Sequence, residues 1–232
     1  MPVSIPVNNA AFTKGASNGP AVANLAFATV GDLIVVSIWG WRASTPSIVA
    51  LSGWTLAGSF TSPPTGTNLI NSVFYRIRQA GDTNSPSWNM SSGMSGWATF
   101  AVGYRSTTGW GVNPVYGYAS TTSGANIRTL VAPTVTNVAG EICTSECSSR
   151  VSNLSGVGAA GTNWNLLVDD AYSTFGGGTN TVLVGAYRTA AGSNPLTYTV
   201  SGVTANVVLA IANMISVRGI PSVPAAQLFC EV

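Results

Sequence analysis

Two stretches of the chain repeat one another in order and spacing. Gly66-Thr67-Asn68 precedes Tyr75-Arg76, and Gly178-Thr179-Asn180 precedes Tyr187-Arg188, with six residues between Asn and Tyr in each place. Gly31-Asp32 is answered by Gly140-Glu141, Trp54 by Trp164, Ala80-Gly81 by Ala191-Gly192 and Trp88 by Tyr198, at offsets of 109 to 112 residues. A collinear series with a nearly constant offset marks an internal duplication. The fold must then divide into two similar halves, about residues 15–110 and 111–218. Two tandem sandwiches or one merged sandwich would satisfy this. The segment between the copies, residues 106–126, is turn-rich and lacks the charge and length of a flexible linker, which favours the merged form.

Each half reads as β-structure. Gly (26) and Pro (12) punctuate short apolar runs, as in Thr61-Ser62-Pro63-Pro64 and Gly192-Ser193-Asn194-Pro195. Alternation predicts strands at 31–42, 54–59, 69–78, 86–90, 97–105, 127–131, 140–145, 164–168, 181–189, 196–200 and 206–217. Val35, Val36, Trp54, Phe74, Phe100, Val102, Val184 and Leu209 are the expected core. In the first strand Leu33, Val35, Trp39 and Trp41 fall on one face and Ile34, Val36 and Ile38 on the other, so it is either central or turned towards a partner subunit. Helix is conceivable only around 21–28. The expected architecture is all-β: a jelly-roll-like β-sandwich with duplicated halves over 15–218, an N-terminal arm over 1–14 and an extended C-terminal arm over 219–232.

Charge narrows the function. The 9 Lys or Arg and 7 Asp or Glu amount to 7% of the chain, where soluble domains average about 25%. A net charge of +2 excludes a broad basic surface for nucleic acid, and with no His the commonest general base and metal ligand is missing. No acidic pair has a spacing that singles out a glycosidase, so no enzyme activity and no cofactor are expected. Asp169-Asp170 is a conceivable calcium ligand pair but reads better as a solvated turn. Cys143, Cys147 and Cys230 form no disulfide framework and read as buried thiols. The longest apolar run, 207–217, is too short to cross a bilayer, and the first residues lack the pattern of a secretory signal, so synthesis in a cytoplasm without membrane contact is expected.

The order Gly31-Asp32-Leu33-Ile34-Val35-Val36, Ser52-Gly53-Trp54-Thr55-Leu56, Tyr75-Arg76 with Ala80-Gly81-Asp82, Ala101-Val102-Gly103-Tyr104-Arg105 with Asn113-Pro114-Val115, and Ala132-Pro133-Thr134-Val135-Thr136 resembles a β-sandwich module of tailed-phage structural proteins, found also in bacterial surface proteins. The resemblance spans about residues 30 to 215. It implies an accessory virion module on capsid or tail, made in the host cytoplasm, and no catalytic residue set. The chain departs from the pattern at 143–150, where Thr-Ser-Glu-Cys-Ser-Ser stands in place of an apolar strand.

Two functions then compete: a capsid decoration or cement protein, and a tail-fibre or tail-tip adhesin holding host glycan. For the first, partner contacts are expected at Leu228 and Phe229 in the C-terminal arm, at Trp39 and Trp41, and at Arg218. Capsid or tail proteins would be the partners, with a homo-oligomer, a trimer by analogy with capsid threefold positions, as the assembled form. Eight of the nine basic residues are Arg, several at strand ends, which suits contact with neighbouring subunits. For the adhesin, loop aromatics Trp110 and Tyr116 are the candidate glycan contacts.

Overall fold

The computed structural model describes residues 3–6, 9–16, 19–42, 47–61, 68–91, 94–123, 129–136, 138–151, 156–170, 174–175, 179–192, 196–201 and 209–220. Its first half contains β1 (Val3–Ser4), β2 (Ala10–Ala16), β3 (Ala21–Val22), β4 (Leu33–Arg42), β5 (Thr55–Thr61), β6 (Asn68–Ile77), β7 (Ser87–Trp88) and β8 (Gly96–Ser106). The second contains β9 (Val115–Ser123), β10 (Thr129–Val131), β11 (Ile142–Val151), β12 (Gly156–Ala160), β13 (Asn165–Asp170), β14 (Thr174–Phe175), β15 (Thr179–Arg188), β16 (Thr197–Ser201) and β17 (Leu209–Val217). No helix occurs among the described residues; the segment 21–28 begins as β3 and continues through turns.

The duplication is a property of the fold. One large antiparallel sheet runs β8-β4-β6-β5 with β2 also on β8; the other runs β17-β11-β15-β13 with β9 on β17. These orders are the same when β2, β4, β5, β6 and β8 are matched to β9, β11, β13, β15 and β17. Register agrees residue by residue: Arg76 lies opposite Ile34, and Arg188 opposite Cys143. Even the irregularities repeat, with a bulge between Leu56 and Gly58 in β5 and another between Leu166 and Val168 in β13. Gly31 and Gly140 open β4 and β11 at φ 90° and 87°. At the matching turns Gly53 and Asn163 take φ 78° and 64°, a conformation Asn tolerates better than other side chains.

The halves stack as layers, and among the described residues they exchange no strands. The large sheets face each other across one shared cluster that includes Leu33, Val35, Trp39, Phe100 and Val102 from one half and Ile142, Ile211, Ile215 and Val217 from the other. Each sheet's outer face has its own small cover. In the first half β3 and β7 bring Ala21 and Trp88 over Ile34, Val36 and Phe74; in the second β10 and β16 bring Leu130 and Tyr198 over Cys143, Cys147 and Met214. Contacts between the halves are reciprocal: β5 lies against β9, and β13 against β2, as a pseudo-twofold relation requires.

This explains β4. Both its faces are apolar because one meets the second half and the other meets the cover, so Trp39 and Trp41 are fully buried and corrected from partner contacts to core. The second half takes the place assigned to another subunit. The N-terminal segment read as an arm is also built in, since β2 pairs with β8 from Ala10 opposite Val102 to Ala16 opposite Gly96, and β1 pairs with the end of β8. Of the expected core, Val35, Val36, Phe74, Phe100 and Val102 are buried and Trp54 is half-buried, while the side chains of Val184 and Leu209 lie outside the described residues.

One close approach fixes the seam between halves. A Cβ on Gly58 would overlap the Tyr118 ring, which reaches across from β9 to donate its hydroxyl to Asn71 Oδ1 at 3.1 Å. Gly58→Val should therefore cost about 1–3 kcal/mol in urea unfolding. The cost should shrink in a Tyr118→Ala background; an equal cost in both backgrounds would place the clash elsewhere.

Candidate functional site

The departure at 143–150 turns out to be a central strand. β11 pairs along its length with both β15 and β17, and its polar side chains from Thr144 to Glu146 find partners within the chain. Tyr198 donates to Ser145 Oγ at 2.9 Å, Ser145 donates to the Asn213 carbonyl at 2.7 Å, and the Tyr104 and Thr144 hydroxyls are bonded to each other. Cys143 and Cys147 are buried free thiols; burial pushes the Cys143 thiol up to about 11, against a hydrogen bond from Ser216, and raises Cys147 further.

Between the sheets lies a buried polar cluster. Glu146 and Ser37 occupy equivalent places in β11 and β4, and Asn213 Nδ2 donates to both Glu146 Oε2 (3.3 Å) and Asn71 Oδ1 (3.1 Å). Burial pushes the Glu146 carboxyl up to about 7, only partly offset by hydrogen bonding that includes Asn213. The cluster is sealed from solvent and serves the seam.

A second repeated device sits at the turns into the central strands. Thr29 N–H donates to Asp32 Oδ2 at 2.9 Å, and Val138 N–H donates to Glu141 Oε2 at 2.7 Å. Burial alone would push the Asp32 carboxyl up, but hydrogen bonds from Arg105 and Thr29 outweigh it and hold the group below its ordinary value. Arg105 Nε reaches Asp32 Oδ1 at 2.8 Å. In the second half Tyr116 is inserted instead: its hydroxyl donates to Glu141, and the Arg218 guanidinium lies 4.5 Å above its ring centroid.

These contacts place the residues singled out in the sequence. Tyr116 has its hydroxyl and one ring face engaged within the chain, and Arg218, although exposed, caps that ring. Trp110, expected at an exposed loop tip, is half-buried against the shared core and donates its indole N–H to the Gly31 carbonyl at 2.8 Å. Arg188 is buried, Arg76 pairs with Asp82 at 2.6 Å and Arg105 with Asp32, so strand-end arginines tie the chain to itself. Leu228 and Phe229 lie outside the described residues, as do the side chains of Asp169 and Asp170 in β13.

The surface features of the described residues include two that the sequence did not single out. One is a cleft of about 190 Å³ on the outer face of the first sheet. Leu25, Ile34, Leu51 and Trp54 form its apolar wall, and Ser52, Arg76, Arg78 and Asp82 its polar one. The Trp54 ring is fixed edge-on against Trp88 with centroids 5.0 Å apart. The other feature is a pair of adjoining hollows, about 400 and 450 Å³, that share Gly111 and Val112; Ile77 and Tyr75 border one, Arg218 and Ile220 the other.

Comparison with known proteins adds no identity: no family model matches the chain, and no curated protein or solved structure is significantly similar to it.

Proposed function

We propose that the protein is an accessory structural protein of a bacteriophage virion, a decoration or cement protein that binds the capsid lattice. The observation that carries this reading is the apolar surface at the Val112 loop. Val112 is 96% exposed, Ile220 is 43% and Ile77 37% exposed, and the hollows between them contain arginine but no carboxylate. Contiguous exposed apolar groups on a chain this poor in charge suit a protein partner better than water. The described residues end here, with Ile220 N–H donating to the Gly109 carbonyl at 3.1 Å, and in the sequence residues 221–232 follow, with two prolines and the Leu228-Phe229 pair. Attachment through this end leaves the sandwich itself unchanged.

The test is co-sedimentation of the purified protein with particles from cells that produce it. Val112→Asp and deletion of residues 221–232 should each lower occupancy about tenfold or more, as expected from losing one or two docked apolar side chains worth roughly 1.5–3 kcal/mol each. Neither change should alter the melting temperature by more than a degree or two. Wild-type occupancy in both variants would contradict the assignment.

A further inference from the structure

We infer that the first half carries a binding cleft for a single acidic sugar residue, a site whose wall residues its duplicate lacks. The inference does not rest on the capsid reading: the cleft opens on the outer cover of the first sheet and shares only Arg76 with the hollows at Val112.

The duplication supplies an internal control. Any feature needed only to fold the module should be kept in both copies. Arg76 and Arg188 are matched, but Arg78 is answered by Ala190, two residues after Arg188, and Asp82 by Ser193, the residue after Gly192. Leu51 is answered by Gly161, where a Cβ would stand 2.6 Å from Trp164 Cδ1 and 3.1 Å from Leu196 Cδ1. The Trp164 ring takes the place that a side chain matching Leu51 would fill, and its Nε1 is sealed from solvent. Leu196 stands where the first half has Pro86 on the cleft wall. The second half thus folds without the Leu51, Arg78 and Asp82 side chains, so these groups are not demanded by the scaffold.

The chemistry of the walls defines the ligand. At about 190 Å³ the cleft is of a size to seat one ring-sized group. One wall is an indole with aliphatic neighbours; the other offers guanidinium, carboxylate and hydroxyl groups. A pyranose has this two-sided character, with an apolar C–H face for Trp54 and hydroxyls for Asp82, Ser52 and Arg76. Two guanidiniums face one carboxylate. Arg76 is neutralised by Asp82 at 2.6 Å, while Arg78 is held by the Leu25 carbonyl at 2.9 Å and by Asn84, both uncharged. The excess positive charge selects a sugar that bears a carboxylate, a uronate or sialate, over a neutral one.

The experiment is an NMR titration of the full chain, with the Trp54 indole signal assigned from a Trp54→Phe variant. The probes are the methyl glycosides of glucuronate, galacturonate and sialate, with methyl glucoside and acetate as controls. At least one acidic sugar should shift the Trp54 signal saturably; methyl glucoside should bind about tenfold more weakly, and acetate at equal concentration should give no saturable shift. Ser52→Trp, at the exposed rim, should abolish binding with an unchanged melting temperature, and Trp54→Ala should weaken it about tenfold. The proposal is overturned if no acidic sugar binds, if the glucoside binds equally well, if acetate alone reproduces the shift as a plain anion would, or if Ser52→Trp binds like wild type.

Discussion

Replacing Glu146 by Gln should stabilise the protein at about pH 8 by about 3 kcal/mol and flatten its stability between about pH 5 and 8. Glu146 is 1% exposed in the seam between the sheets, and burial raises its carboxyl from the ordinary 4.5 to about 7. Between those values the unfolded chain has already released the proton that the folded chain still holds, so raising the pH favours unfolding. The penalty is absent below about pH 4.5 and complete above about pH 7. Gln keeps the size of the side chain and an oxygen for Asn213 Nδ2, while removing the charge. Asp32 acts on the opposite limb: its lowered carboxyl stabilises the fold above its ordinary value of 3.8, and that contribution is lost as the pH falls through the folded value. With these two groups alone, wild-type stability should peak near about pH 4 to 4.5 and fall from there towards pH 8. Urea unfolding at about pH 5 and pH 8 measures this, and a wild type equally stable at both would refute the seam electrostatics.

Trp39→Ala should cost about 3–5 kcal/mol, enough to leave little of a typical total of 5–15 kcal/mol. Trp39 is fully buried in the cluster that both halves share, and the indole leaves a cavity that two opposed sheets cannot readily close. The loss should fall on the whole chain. Unfolding of the variant should remain a single transition at lower urea, reported equally by probes in either half. A stepwise transition, with the second half surviving the first, would show that the halves have separate cores.

Much of this architecture was legible in the chain. The spacing from Asn68 to Tyr75 and from Asn180 to Tyr187 locates β6 and β15, and the offset of 109 residues from Gly31 to Gly140 matches β4 to β11. What could not be read was what covers what. β4 is apolar on both faces whether its neighbour is another subunit or the other half of the same chain, and only the layering decides between them. β2 was missed because Ala10 to Ala16 includes Lys14 and Gly15, and Gly15 is there because the Trp97 ring fills its side-chain space. The place of β11 at the centre of a sheet was not legible because its polar residues find partners, Tyr104, Tyr198 and Asn213, that are 40 to 68 residues away. The cleft was hidden for the same reason: its walls come from residues 25 to 86, gathered only when β3 and β7 fold over the sheet. A signal did exist, since Arg78 against Ala190 and Leu51 against Gly161 are places where the two copies differ in chemistry as well as in size.

Native-state hydrogen exchange tests most directly whether two duplicated halves share one core. Amides of β4, between Leu33 and Trp41, and of β11, between Ile142 and Cys147, form the centres of the two sheets. A shared core predicts that both sets exchange only through global unfolding, with the same free energy and the same urea dependence, and that Trp39→Ala lowers both by the same amount. Exchange from β11 that is unchanged in the Trp39→Ala variant, or that opens at a free energy different from β4, would contradict it.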